Sequence, residues 1–169
     1  MSRPTSEASR MHRVWNERQL WLIAIFVAPV SFLASSALIS LVEAFIPSAV
    51  NGGGWAQVEA SVSAGQMVYA LSLAPVFENL ILYAVVALLG RAFRADLPIS
   101  CTAAMLAAMA HILASGQLSY VAVFPGFFVM SLLILRAKRR STGYWLSVVH
   151  HVAVNSISVA GLLLRGHPL

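Results

Sequence analysis

The feature that most constrains the fold of this chain is an apolar run of 26 residues, from Trp21 to Ile46, in which Glu43 is the only charged residue. As a helix this run would be ~39 Å long, enough to cross the ~30 Å hydrocarbon core of a bilayer. The apolar core of a signal peptide is shorter, at about 7–15 residues, so we expect a first membrane span that is retained. A basic tail precedes it, with Arg3, Arg10, Arg13 and Arg18.

More apolar segments follow, separated by polar connections. The stretch from 58 to 90 is too long for one straight span, and Pro75 predicts a break in it, because proline is disfavoured inside a helix but suits its first turn. We expect a span, re-entrant helix or interfacial helix over 58–73 and a membrane helix over 75–91, crossing the membrane once in total. The later segments predict spans over 100–114, 120–135 and 144–164.

The composition supports this interpretation. Charged residues make up 10% of the chain and apolar residues 59%, and the mean hydropathy is +0.80. A soluble domain carries roughly 25% charged residues, so this chain needs lipid as its outer solvent. The sequence predicts an all-α, multi-pass transmembrane helical bundle of about five or six membrane segments. We divide it into a basic tail, first anchor and glycine-rich loop over residues 1–57 and a helical bundle over 58–169.

The net charge of +5 does not indicate nucleic-acid binding, because the basic residues lie in short clusters beside apolar segments. Such clusters are typical of the cytoplasmic side of membrane proteins. They occur in the N-terminal tail, at Arg91 and Arg94, and over 136–140, whereas the loops over 47–57 and 115–119 contain no Lys or Arg. We expect a protein of the cell membrane with a cytoplasmic N-terminus.

Polar groups inside the predicted spans suggest a site. A charge at the centre of a bilayer costs about 2.5–3.5 kcal/mol or more, so each one indicates a function or a specific partner. We estimate the depth of each residue by counting ~1.5 Å per residue along its helix from the basic end of the span. Glu78 then lies ~19 Å from that end, His111 ~17 Å and His151 ~15 Å. Asn155 lies ~20 Å deep on the same helix face as His151, being four residues away. His150 is turned by ~100° and is expected to face another helix.

Three short segments around these residues resemble the motifs of the CPBP family, the CAAX-protease and bacteriocin-processing intramembrane endopeptidases. "APVFENLILY" (74–83), "AAMAH" (107–111) and "HVAVN" (151–155) follow the order and spacing of the family's EExxxR, FxxxH and HxxxN helices. The similarity covers about residues 72–158. The chain differs from the motifs at three positions, where Asn79, Tyr83 and Ala107 replace the second Glu, the Arg and the Phe.

The resemblance implies an intramembrane endopeptidase that cleaves a membrane-associated or transmembrane-tailed peptide with a glutamate-activated water. Glu78 would be the general base and His111 would hold the water. His151 and Asn155 would donate hydrogen bonds to the developing oxyanion. Asn79 and Tyr83 are expected to hold Glu78 by hydrogen bonds. The bundle over 58–169 would be the catalytic part, with the lipid bilayer and a membrane peptide as partners.

The residues leave two alternatives open. One carboxylate and two imidazoles also suit a catalytic zinc site with Glu78, His111 and His151 as ligands, although we expect a mechanism without a cofactor. The second alternative is a catalytically inactive relative that binds a hydrophobic peptide or a partner helix without cleaving it. The sequence has no GxSxG motif of the kind found in serine hydrolases.

Overall fold

The computed structural model describes residues 16–46 and 63–164, and every regular element within these ranges is helical. The all-α prediction is therefore confirmed for this part of the chain. The basic tail before residue 16 and the predicted glycine-rich loop over 47–57 lie outside the described residues. In chain order the elements are α1 (Glu17–Phe26), α2 (Ala28–Phe45), α3 (Ala64–Leu71), α4 (Leu73–Ala92), α5 (Asp96–Ser115), a 3₁₀-helix (Leu118–Val123), α6 (Phe124–Arg136) and α7 (Arg140–Leu164).

Five helical segments of the described chain are long and apolar enough to cross a membrane. Two of them are interrupted helices, since α1 continues into α2 and α3 continues into α4. Their outer surfaces are strongly apolar: Phe45 is 78% exposed and Leu113 is 76% exposed. The five segments are Glu17–Phe45, Ala64–Ala92, Asp96–Ser115, Leu118–Arg136 and Arg140–Leu164.

Prolines explain where the interrupted helices break. A proline ring clashes with the carbonyl four residues earlier, so a helix is interrupted before proline and restarts with proline in its first turn. Pro75 is the third residue of α4, and the break falls at Ser72, whose backbone is non-helical (φ −126°, ψ −74°). Pro29 likewise follows the break between α1 and α2 at Val27. The predicted break is thus confirmed, but it lies three residues before Pro75.

Two helices begin one turn before the predicted spans. Helix α5 begins at Asp96 rather than Ser100, and α7 begins at Arg140 rather than Tyr144. Both helices extend beyond their apolar runs into polar residues, which the sequence analysis had assigned to loops. In α5 the early start also places Asp96 in the first turn, where the helix dipole favours a negative charge. The span predicted over 120–135 begins as the 3₁₀-helix before α6.

The main hydrophobic core lies between α4, α5 and α6, in the half of the bundle that ends at the 93–95 and 137–139 connections. A second cluster joins α1 to α6 and α7 through Leu20, Ala24, Leu133 and Leu146. The proposed division at residue 57 stays a prediction, because the connection between α2 and α3 is outside the described residues. The main core consists of Leu82, Val86, Ile99, Ala103, Ala104, Phe127, Met130 and Ile134.

Two contacts hold neighbouring helices in register. At the end of α6, Arg136 Nε lies 2.7 Å from Asp96 Oδ2 at the start of α5. Helix α7 packs tightly against α6 at Gly143, where an added Cβ would lie 2.9 Å from both the Cα and the carbonyl oxygen of Ile134. Only glycine permits this separation, so α6 and α7 pack with their backbones nearly in contact.

Candidate functional site

Glu78 lies on α4, directly beyond the main core. It is the residue four before Leu82 and eight before Val86, so it continues the buried stripe of that helix. This spacing turns the carboxylate into the bundle instead of toward the outer surface. The side chain is 34% exposed, which leaves part of the carboxylate accessible.

His111 lies on α5 in an aromatic setting. Its Nδ1–H donates to the carbonyl of Ala107, 2.8 Å away and one turn earlier in the same helix. The imidazole stacks on Tyr120 of the 3₁₀-helix, with ring centroids 5.9 Å apart, and is tilted against Phe127 at 5.5 Å. Because the neutral ring carries its hydrogen on Nδ1, its Nε2 is left as the atom that can take a proton.

His151 lies on α7 and is the most buried of the three ionisable groups, with a side chain 10% exposed. Its ring packs edge-on against Phe127, with centroids 5.7 Å apart. Asn79 Nδ2 lies 3.0 Å from His151 Nδ1. Phe127 therefore belongs to the core and also contacts both imidazoles, a role for which the sequence carried no signal beyond an apolar residue.

The three groups converge on one oxygen atom. His111 Nε2 lies 3.6 Å and His151 Nε2 3.8 Å from Glu78 Oε2. These distances are longer than direct hydrogen bonds, which are about 2.7–3.2 Å, but place the groups in one shared cluster. Three helices that are distant in sequence thus bring a carboxylate and two imidazoles together, as their common depth in the spans predicts.

Asn155 has a different neighbour. Its Nδ2 donates to the carbonyl of Ala70 in α3, at 2.8 Å. Ala70 lies two residues before the break at Ser72, where helical hydrogen bonding is interrupted. One of the two N–H groups of the Asn155 amide therefore links α7 to α3. The predicted role of Asn155 in an oxyanion site stays a prediction.

The predicted roles of Asn79 and Tyr83 are not seen. Asn79 is fully buried, but its Nδ2 contacts the Pro75 carbonyl at 2.7 Å and His151 rather than Glu78. Tyr83 packs edge-on against Tyr144, with centroids 6.5 Å apart. A helical step of one residue turns a side chain by ~100°, so Asn79 faces α7 while Glu78 faces the cluster.

Tyr144, which the sequence analysis did not single out, links α7 to α4. Its hydroxyl donates to the carbonyl of Val76 at 3.0 Å. Val76 lies in the first turn of α4, just before Glu78 and one residue after Pro75. This bond is a direct link from α7 to the turn of α4 that carries the carboxylate.

His150 faces away from the cluster, as the sequence predicts. Its Nδ1–H donates to the carbonyl of Ala24 at 2.8 Å, and its Nε2 lies 3.2 Å from Ser31 Oγ. These partners lie on either side of the break between α1 and α2. His150 is fully buried. It therefore stabilises the packing of the first span against α7.

Within residues 16–46 and 63–164, no group of three His, Cys, Asp or Glu side chains has the arrangement of a metal site. The zinc alternative with Glu78, His111 and His151 as ligands stays a prediction. Comparisons with family models, with curated proteins and with solved structures gave no match. The CPBP resemblance therefore depends on the motif residues and their spacing.

Proposed function

We propose that this protein is a multi-pass membrane endopeptidase that hydrolyses a membrane-associated or transmembrane-tailed peptide with water activated by Glu78. The observation that supports this most is the convergence of two imidazoles from α5 and α7 on one carboxylate oxygen of α4. The five apolar segments would carry the cluster inside the bilayer, where a peptide chain that enters the bundle would meet it. No metal or cofactor is required in this mechanism.

In the proposed reaction, Glu78 and His111 together hold the proton taken from water, and His151 donates a hydrogen bond to the substrate. Glu78, paired with His111, takes a proton from water while the water oxygen attacks the peptide carbonyl carbon. His151 donates to the carbonyl oxygen as it becomes an oxyanion, aided by the second N–H of Asn155. When the C–N bond breaks, the proton held by the Glu78–His111 pair passes to the leaving nitrogen. The products are a carboxylic acid and an amine.

The orientation we propose places the N-terminus and the basic connections in the cytoplasm. Arg91, Arg94 and Arg136 lie at the bundle end formed by the 93–95 and 137–139 connections. The opposite end, at Ser115–Leu118, has no basic residue among those described. Positive charge is retained on the cytoplasmic side of membrane proteins, so this asymmetry favours a plasma-membrane protein with that topology.

The test is cleavage in lipid vesicles. The parent protein, Glu78→Gln and the control Glu43→Gln are incubated with a set of single-span peptides that carry an affinity tag on one end, and products are identified by mass spectrometry. We expect the parent and Glu43→Gln to cleave the same peptide, because Glu43 is exposed near the end of α2. Glu78→Gln should lose at least about 100-fold in rate, the usual contribution of a general base.

Binding of the same peptides, measured by photo-crosslinking, separates the two candidate functions. An enzyme whose Glu78→Gln variant still binds peptide but does not cleave it supports the proposal. If the parent binds the peptides and cuts none of them, the protein is a binding relative without catalysis. Equal cleavage by the parent and Glu78→Gln would exclude Glu78 as the base.

A further inference from the structure

Asn79 has an unusual arrangement for a buried amide. Its Nδ2 is 2.7 Å from the Pro75 carbonyl and 3.0 Å from His151 Nδ1, whereas its Oδ1 is buried without a hydrogen-bond partner among the described residues. Leaving a buried acceptor unpaired costs about 1–3 kcal/mol. The amide is thus oriented so that its two N–H groups form hydrogen bonds while its oxygen forms none.

The Pro75 carbonyl determines which way the amide points. A carbonyl oxygen only accepts hydrogen bonds, so the amide atom beside it must be the nitrogen. Turning the amide over would bring Oδ1 to within hydrogen-bond distance of this carbonyl and set two lone pairs against each other. The same nitrogen has a second hydrogen, and that hydrogen points at His151 Nδ1. His151 Nδ1 is therefore the acceptor.

This bond decides the chemistry of His151. A neutral imidazole has one N–H, so a ring that accepts at Nδ1 carries its hydrogen on Nε2. The Nε2 of His151 is the atom that faces Glu78 Oε2, at 3.8 Å. His151 consequently presents a donor to the cluster, whereas His111, which donates from Nδ1 to the Ala107 carbonyl, presents a lone pair.

We propose that Asn79 is a positioning residue that fixes His151 as an Nε2–H donor, so that the cluster receives an oxygen acceptor such as a peptide carbonyl instead of a divalent cation. A carboxylate beside Nδ1 would have the opposite effect, because it accepts from Nδ1–H and leaves Nε2 free to bind a metal. The assignment of His151 as a donor stands on geometry alone, while the identity of the acceptor rests on the proposed function.

The tautomer is measured by NMR on the full chain with ¹⁵N-labelled histidine in lipid bilayers, at a pH above which the His151 signals no longer change. The His151 signals are identified with His151→Gln. We expect the hydrogen of His151 on Nε2 in the parent. Asn79→Leu, which is similar in size but has no donor, should give a mixture of tautomers, and Asn79→Asp should move the hydrogen to Nδ1. A parent His151 with its hydrogen on Nδ1 would overturn the proposal.

Ser147→Ala is the matched control. Ser147 is buried on the same face of α7, one turn before His151, but its hydroxyl donates to the Tyr144 carbonyl. Its loss should leave the His151 tautomer unchanged. If Asn79→Asp does not fold, Asn79→Leu decides the outcome, and a His151 tautomer that is unchanged in folded Asn79→Leu contradicts the proposal.

Zinc gives a second measurement that does not depend on cleavage. Zn²⁺ added to the parent should leave the His151 ring signals unchanged, whereas in Asn79→Asp it should shift those of both His111 and His151. A zinc-induced shift of His151 Nε2 in the parent would overturn the proposal. Should the tautomer be as expected while no peptide is cut, the Asn79 assignment holds and only the endopeptidase proposal fails.

Discussion

At the scale of single residues, His150 and His151 show how much a step of one residue along a helix changes the partners of a side chain. The two residues are adjacent, yet His151 contributes to the cluster with Glu78, while His150 bonds to Ala24 and Ser31 in the first span. The sequence predicts this separation from the ~100° turn between neighbouring residues. It does not predict the partners of His150, since both lie more than 100 residues away along the chain.

We expect His150→Leu to destabilise the bundle without disrupting the cluster. The substitution keeps the volume but leaves the Ala24 carbonyl and the Ser31 hydroxyl without His150, and the cost should be about 2–4 kcal/mol in the free energy of unfolding. Denaturant unfolding in detergent micelles would measure it. The control Ser156→Ala, whose exposed hydroxyl bonds only to its own helix at Val152, should change stability by less than about 0.5 kcal/mol. Equal stability of both variants would contradict a structural role for His150.

At the scale of helices, the sequence predicts the elements better than their ends. Apolar runs located the apolar segments and Pro75 located the break between α3 and α4, because hydrophobicity along the chain and the missing proline N–H are local constraints. The break between α1 and α2 before Pro29 was not predicted. The first turns of α5 and α7, at Asp96 and Arg140, lie outside the apolar runs from which the spans were predicted. How closely two helices approach depends on both surfaces at once, as at Gly143 and Ile134.

Gly143→Ala tests this close approach. The added methyl group would meet the backbone of Ile134 at 2.9 Å, so α6 and α7 would have to move apart, at a cost of about 1–3 kcal/mol. Gly161→Ala on the same helix has no atom within 4 Å of the added group and should be neutral or slightly stabilising. Thermal unfolding of both variants in micelles compares them. A Gly143→Ala variant as stable as Gly161→Ala would show that the helices separate without cost.

At the scale of the whole molecule, the positions of the charged residues and of the apolar segments indicate the same arrangement of the helix ends. Five apolar segments joined in sequence bring both the 93–95 and 137–139 connections to one end of the bundle, where Asp96 and Arg136 form an ion pair. The basic residues of these connections lie at that end. Because five is an odd number, the topology that we propose places the start of α1 at the same end and the end of α7 at the opposite one.

Labelling of single cysteines checks this topology. Ala95→Cys and Ser115→Cys, each in a Cys101→Ser background, place exposed thiols at opposite ends of α5 and its preceding connection. With a membrane-impermeant maleimide on intact cells, Ser115→Cys should be labelled and Ala95→Cys should be labelled only after permeabilisation. The reverse pattern would invert the orientation, and labelling of both on intact cells would contradict a membrane-spanning α5.

By itself the sequence determined the helical class, the apolar segments, and the placement of Glu78, His111 and His151 on three different helices. These properties follow from hydrophobicity and from the fixed rise and turn of a helix, which act along one element at a time. The motif spacing also located the candidate site, because order and depth are both readable from the chain.

Only the tertiary structure decided which partner each polar side chain meets. Asn79 was expected to hold Glu78 and instead donates to His151, and Asn155 donates to the Ala70 carbonyl. The physical reason is that hydrogen bonds need donor and acceptor within about 3 Å and in the right direction. The rotation of each helix about its axis, and the packing of one helix on the next, set these positions, and both depend on the whole bundle.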